Sequence, residues 1–207
     1  MPTAQPPRTP RTLSRENCGC TTQRKGRFAD LHAQFHYLQQ HQDPRDRGYQ
    51  LESLFADVLK RSGLDVWPGL RRNGGSEQVD VAFRFEGWYY LTECRWHRER
   101  LSARSVDGLS GQVRRSGKQT MGLLLAINGW SDNVPGLLQQ NQDKSILLMD
   151  GDDLDAVLAG RVGMRELLSA KLAALNLRGQ PFLSAQDATT HPKSNNARNS
   201  RLRSRPF

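Results

Sequence analysis

The strongest constraint on this chain is a pair of short segments separated by Glu86-Gly87. One is Gly75-Ser-Glu-Gln-Val-Asp80, continuing to Phe85, and the other runs from Trp88 through Glu93 to Arg95. β-branched and aromatic residues alternate on either side of a two-residue break containing glycine, the pattern of a β-hairpin. A two-residue loop fixes the pairing, so Asp80 faces Glu93 and Gln78 faces Arg95. Facing residues share a side. One side collects Val79, Val81, Phe83 and Phe85 with Cys94, Thr92, Tyr90 and Trp88, while the other collects two acids and an arginine. Cross-strand Cβ atoms lie about 4.5–5.5 Å apart, which lets two carboxylates grip one divalent ion. The ordinary alternative for two facing acids is a salt link through Arg95 or Arg84 on the same side. The weak point is the loop, because Glu-Gly is not a preferred primed-turn pair and one bulge would break the register.

The charge is unevenly placed. Residues 1–27 hold six Lys or Arg against one Glu, and 179–207 hold five against one Asp, so the two ends account for the whole net charge of +9. Both ends are rich in Pro, Ser, Thr, Asn and Arg with little to bury, and are expected to be disordered basic tails around a domain spanning 28–178. Such arms either attract a polyanion in a salt-sensitive way or simply keep the protein soluble. Within the neutral middle there is one basic stretch, Arg95, Arg98, Arg100, Arg104, Arg114, Arg115 and Lys118 against Glu99 and Asp107. It follows directly on the acidic hairpin face and suits phosphate contacts. No apolar run reaches membrane-spanning length and the N-terminus lacks an apolar signal segment, so a cytoplasmic protein without a membrane partner is expected. Cys18 and Cys20 are too close to bridge comfortably and Cys94 falls on the apolar hairpin face, which argues against a disulfide framework.

Periodicity supplies the remaining elements. Phe28, Leu31, Phe35 and Leu38 mark a helix that ends by Asp43-Pro44, and Leu51, Leu54, Phe55, Val58 and Leu59 mark a second that stops at Gly63. Leu64 to Trp67 predicts a short strand, with Pro68 to Gly75 as loop. A helix over about 104–117, buried strands at Met121–Ile127 and Ser145–Met149, and helices near 152–159 and 163–175 complete the domain. Two of Asp150, Asp152, Asp153 and Asp155 suit a turn and helix cap. The order implies an α/β sandwich with a mixed central sheet flanked by helices.

Arg47-Gly48-Tyr49 with Leu51-Glu52 on a helix, the segment ending in Asp80, and Tyr90-Leu-Thr-Glu93-Cys94-Arg95-Trp96 together resemble the PD-(D/E)xK nuclease superfamily, most of all its Mrr-type restriction endonuclease domains. The similarity extends through Gly122–Ile127, Gly129-Trp130-Ser131 and Ile146–Asp152, covering roughly residues 45–170. It implies a restriction-endonuclease-like core, magnesium- or manganese-dependent (Mg²⁺ or Mn²⁺) hydrolysis of DNA phosphodiesters, and a setting in restriction or antiviral defence. A homodimer is left open. On this resemblance Asp80, Glu93 and Glu52 are the metal-binding catalytic acids, and Arg95 stands where the family expects lysine. Arginine can stabilise charge developing on phosphorus, but it cannot act as a base. The departure raises an alternative, a DNA-binding or assembly protein that keeps the fold without cutting. Gln78, Arg98, Arg100, Arg104, Arg114, Arg115 and Lys118 are the candidate DNA contacts, and Lys118 is a candidate stand-in for the missing lysine.

A second constellation is Cys18-x-Cys20, eleven residues, then His32-x-x-x-His36. It approaches a zinc-finger spacing, although the cysteine pair is short and the intervening segment has no clear hairpin. The default expectation is that His32 and His36 are exposed helix residues.

Overall fold

The computed structural model describes residues 26–140 and 144–190. Cys18, Cys20 and most of both expected tails lie outside these residues. The described chain runs α1 (Ala29–Gln40), α2 (Pro44–Arg61), β1 (Asp65–Arg72), a short 3-10 turn (Asn73–Gly75), β2 (Glu77–Phe85), β3 (Trp88–Arg95), α3 (Ala103–Arg114), β4 (Thr120–Ala126), α4 (Asn133–Gln140), β5 (Ile146–Asp150), α5 (Gly151–Leu158), α6 (Met164–Arg178) and α7 (Ala185–Thr190). None of these helices is long and apolar enough to cross a membrane.

The sheet order is β1-β2-β3-β4-β5. The first three strands are antiparallel and the last two join in parallel, so the sheet is mixed as expected. The β4 and β5 strands are apolar along nearly their whole length because helices cover both faces. On one face Val81, Phe83, Tyr90, Cys94, Leu123 and Leu147 pack with α1, α2, α5 and α6. On the other, Ala82, Leu91, Leu124 and Leu148 pack with α3 and α4.

The hairpin has the register that its sequence implies, from Phe85 opposite Trp88 to Val81 opposite Thr92. Glu86 and Gly87 both have positive φ, 49° and 82°, as a type I′ turn requires, so Glu86 tolerates a conformation its side chain disfavours. Beyond Val81 the two strands part, with consequences for three expectations, the first consequence being that Asp80 and Glu93 are not a ladder pair. Gln78 pairs with Arg71 of β1 rather than facing Arg95, which pairs with Ala126 of β4. Val79 joins the α3 face of the core, opposite to Val81, because the chain changes over at Asp80. Gly69 of β1, at φ 60°, interrupts the adjacent pairing at that same level, between Pro68–Val81 and Leu70–Val79.

Three further differences have physical causes. β1 continues through Pro68 to Arg72, where a loop is expected from sequence. As the edge strand it has one side without a ladder, so a proline is accommodated. Helix α4, Asn133–Gln140, escapes the periodicity because Pro135 and Gly136 occupy its first turn. Finally, residues 179–190, assigned from sequence to the C-terminal tail, fold back onto the domain. Phe182 packs edge-on against Trp130 with ring centroids 5.0 Å apart, Ala185 is buried, and the Pro181 carbonyl accepts from the Leu148 amide of β5 at 2.9 Å.

Candidate active site

The parting of β2 and β3 creates the site. Where the ladder stops, the Asp80 carboxylate takes the place of a strand carbonyl and its Oδ2 accepts from the Cys94 amide at 2.8 Å. This fixes the side chain beside Glu93, one residue away on β3. Both acids are largely covered, with side-chain exposures of 13% and 17%. Arg95 extends back along β3, its Nη2 donating to Glu93 Oε1 and its Nη1 lying 3.5 Å from Asp80 Oδ2. Arg84, the other cation considered for this face, is instead paired with Asp65 at 2.9 Å.

Glu52 reaches the same place from α2. The helix begins at Pro44, capped by the Asp43 carboxylate, which accepts from the Arg45 and Asp46 amides. Glu52 therefore sits in the middle of the helix, beyond any first-turn interaction with the dipole. Arg47 anchors this helix to the chain leaving β3. Its Nη2 donates to the Trp96 carbonyl at 3.1 Å and its guanidinium lies 5.2 Å from the Trp96 ring centroid. Helix and strand thus present Glu52, Asp80, Glu93 and Arg95 as one constellation.

Its electrostatics favour an added cation. Burial pushes the Glu52 carboxyl up to about 7, helped by the Asp80 charge and opposed by Arg95. Asp80 is raised by burial against the pull of the Cys94 amide and Arg95. Glu93 is raised by burial, with Arg95 opposing and Asp80 adding to the shift. Three acids gathered around the single guanidinium of Arg95, which pairs with two of them, make a donor set of hard oxygens suited to Mg²⁺ or Mn²⁺.

The basic stretch falls into two groups. Arg98 lies just past β3, in a cleft with Arg47, Trp96 and Asn128, and Arg100 pairs loosely with Asp132 at 3.2 Å. Arg104 is exposed at the start of α3. Arg114 and Lys118 are at the other end of that helix, in a pocket with Trp88 and Thr120, and Arg115 is held by Glu77 at 2.6 Å. Lys118 precedes β4 whereas Arg95 pairs with the last residue of β4, so the two are about 20 Å apart along the strand. Lys118 does not enter the constellation.

Asp150 is the α5 cap, accepting from the Asp153 amide at 2.9 Å. Sequence reasoning passed over Arg47 as a site residue, although it carries part of the resemblance. The signal was an arginine five residues before Glu52 on one helix.

No protein-family model matches this sequence, and no curated protein matches it. Solved structures do. The small subunit of the heterodimeric restriction endonuclease R.BspD6I is similar over 78% of this chain and 94% of its own, with 14% identity and a TM-score of 0.50. A protein of unknown function, AF1548, is similar over 69% and 92% at 15% identity and a TM-score of 0.48. The MspJI restriction endonuclease, solved with a 27-mer oligonucleotide, matches over 89% of this chain and 44% of its own at 15% identity and a TM-score of 0.39. The protein has a restriction-endonuclease-like α/β fold: a mixed five-stranded sheet flanked by seven helices among the described residues. At this identity the likeness to the R.BspD6I subunit is one of architecture, so activity has to be argued from the site itself.

Proposed function

We propose that this chain is a divalent-metal-dependent DNA endonuclease acting in restriction or defence. The observation that carries the reading is the convergence of Asp80, Glu93, Glu52 and Arg95 where β2 and β3 part. Asp80, Glu93 and Glu52 would hold Mg²⁺ or Mn²⁺. The ion would polarise a phosphoryl oxygen and acidify a bound water. The chain's own groups do the rest. The Cys94 amide keeps Asp80 aimed, and Arg47 holds the helix of Glu52 against the end of β3. Arg95, released from its acids when a cation takes them, is free to meet a phosphate and stabilise charge in the transition state. Because arginine stays protonated, removal of a proton from the attacking water falls to a carboxylate. Arg98, Arg100 and Arg104 flank the site as phosphate contacts, while Arg114, Arg115, Lys118 and Gln78 serve a more distant stretch of DNA.

One observation favours a second reading, a DNA-binding or assembly protein without cleavage. Arg95 already spans both hairpin acids, as a salt link replacing a metal would. The experiment that separates them is incubation of supercoiled plasmid with the purified protein and Mg²⁺ or Mn²⁺, beside Asp80→Asn. Metal-dependent nicking that vanishes in the variant supports the nuclease. Plasmid left intact by the wild type while shifted in a salt-sensitive manner supports the second reading.

A further inference from the structure

A separate cluster of side chains lies between α1 and α5. We propose that His32, His36 and Asp155 form a zinc-class transition-metal site that ties the first helix to the fifth. His32 and His36 are one turn apart on α1, flanked by the buried Leu31 and Phe35 that fix the helix against the core. Asp155 approaches from α5. His32 Nε2 is 2.8 Å from Asp155 Oδ1, His36 Nε2 is 3.0 Å from His32 Nε2, and His36 Nε2 is 3.9 Å from the same carboxylate oxygen. One ion can touch all three atoms at about 2 Å, the ordinary Zn–N and Zn–O distance, and side-chain rotations of a few tenths of an ångström that draw His36 and Asp155 together would turn the flat arrangement toward the tetrahedral one.

Hydrogen bonding alone serves this cluster poorly. A ring nitrogen carries one proton or one lone pair, so His32 Nε2 cannot complete good bonds to both Asp155 and His36. A cation at the centre uses a lone pair from all three. The surroundings are those of supported ligands. His36 Nδ1 faces Gln39 Oε1 at 3.4 Å, and the other carboxylate oxygen of Asp155 accepts from Arg161 at 2.5 Å, leaving Oδ1 for the metal. His36 and Asp155 also line a cleft of about 540 Å³ with Gln39, Arg47, Trp96 and Arg98, so a fourth position is open to water. Two imidazoles and one carboxylate select Zn²⁺ and its neighbours over Mg²⁺ or Ca²⁺, which require oxygen donors. The site is therefore chemically distinct from the all-carboxylate constellation on the hairpin.

The test uses the full chain stripped with chelator, titrated with Zn²⁺ by calorimetry in magnesium-free buffer, with Co²⁺ absorption as a second readout. Wild type should bind an equivalent of Zn²⁺ that raises its melting temperature. His36→Ala, at an exposed position, and Asp155→Asn should each weaken that equivalent by about tenfold or more, while Asp80→Asn leaves it intact. Matching circular dichroism of the metal-free proteins controls for folding. The proposal is overturned by undetectable binding at 100 µM Zn²⁺ (about the weakest affinity a three-ligand site should show), by unchanged affinity in both cluster variants, or by loss of the equivalent in Asp80→Asn alone.

Discussion

Replacing Lys171 with methionine should be among the most damaging single changes available to this protein. Its ammonium is fully buried and donates to Asp153 Oδ2 at 2.6 Å, to the Leu148 carbonyl of β5 at 2.8 Å and to the Leu183 carbonyl at 2.7 Å. Asp153, equally buried, accepts from the Ala185 amide at 2.6 Å through its other oxygen. Burial pushes the Lys171 ammonium down, with Asp153 pulling the other way. Lys171→Met keeps the length of the stem but strands a buried carboxylate and two carbonyls. Breaking such a pair costs about 3–5 kcal/mol, of a total stability of about 5–15 kcal/mol. For a domain of this size that is a fall in melting temperature of about 6–20 °C. Urea and thermal unfolding would measure it. Hydrogen exchange should show protection lost first at 181–190, where the two side chains pin the C-terminal segment to β5. The double variant Lys171→Met/Asp153→Leu, which removes both charges, should recover a good part of the loss. A Lys171→Met protein within about 1 kcal/mol of wild type, or a double variant no better than the single one, would refute this account of the pair.

Glu93→Ala should abolish cleavage while leaving the protein folded, because it relieves repulsion with Asp80; wild-type nicking by that variant would remove Glu93 from the site. Arg95→Lys should keep activity and Arg95→Ala should lower it by about two to three orders of magnitude, with cation binding retained in both, read by single-turnover cleavage and calorimetry. The folded-state value of Glu52, about 7 against an ordinary 4.5, means the folded protein holds that proton in the window between them, so its contribution to stability declines as pH rises through it. Cation affinity should move oppositely, strengthening from pH 6 to 8, and a flat profile would show that Glu52 is not a ligand. Deleting 1–25 and 191–207, which keeps the packed segment before 191, removes the whole net charge and should flatten the salt dependence of DNA binding; an unchanged slope would shift the contact to Arg98, Arg100 and Arg104.

The hairpin is legible from sequence because a period of two and a two-residue loop leave a single register, and five observed pairs follow it. What is not legible is where the pairing stops. That depends on the Asp80 side chain capturing a backbone amide, an event no alternation records. Pro68 and Gly69 look like loop residues until β1 is known to be an edge. The C-terminal segment is held by Lys171 and Asp153, residues whose charge argues for the surface and whose partnership appears only in three dimensions. The histidine pair shows its helical spacing in sequence, but Asp155 is 123 residues from His32 and carries no mark distinguishing it from its acidic neighbours.

The bond from the Cys94 amide to Asp80 gives one residue two occupations. Any replacement at 80 without an acceptor leaves a covered N–H unsatisfied, at a cost of about 1–3 kcal/mol, besides removing the metal ligand proposed there. Asparagine retains the acceptor and alters the chemistry alone, whereas alanine mixes both effects. Among the described residues Glu52 and Glu93 have no such backbone hydrogen bond, so a relative without the proposed activity could lose either acid at less structural cost. Position 80 would be the last of the three to drift, and when it does, it should pass through asparagine.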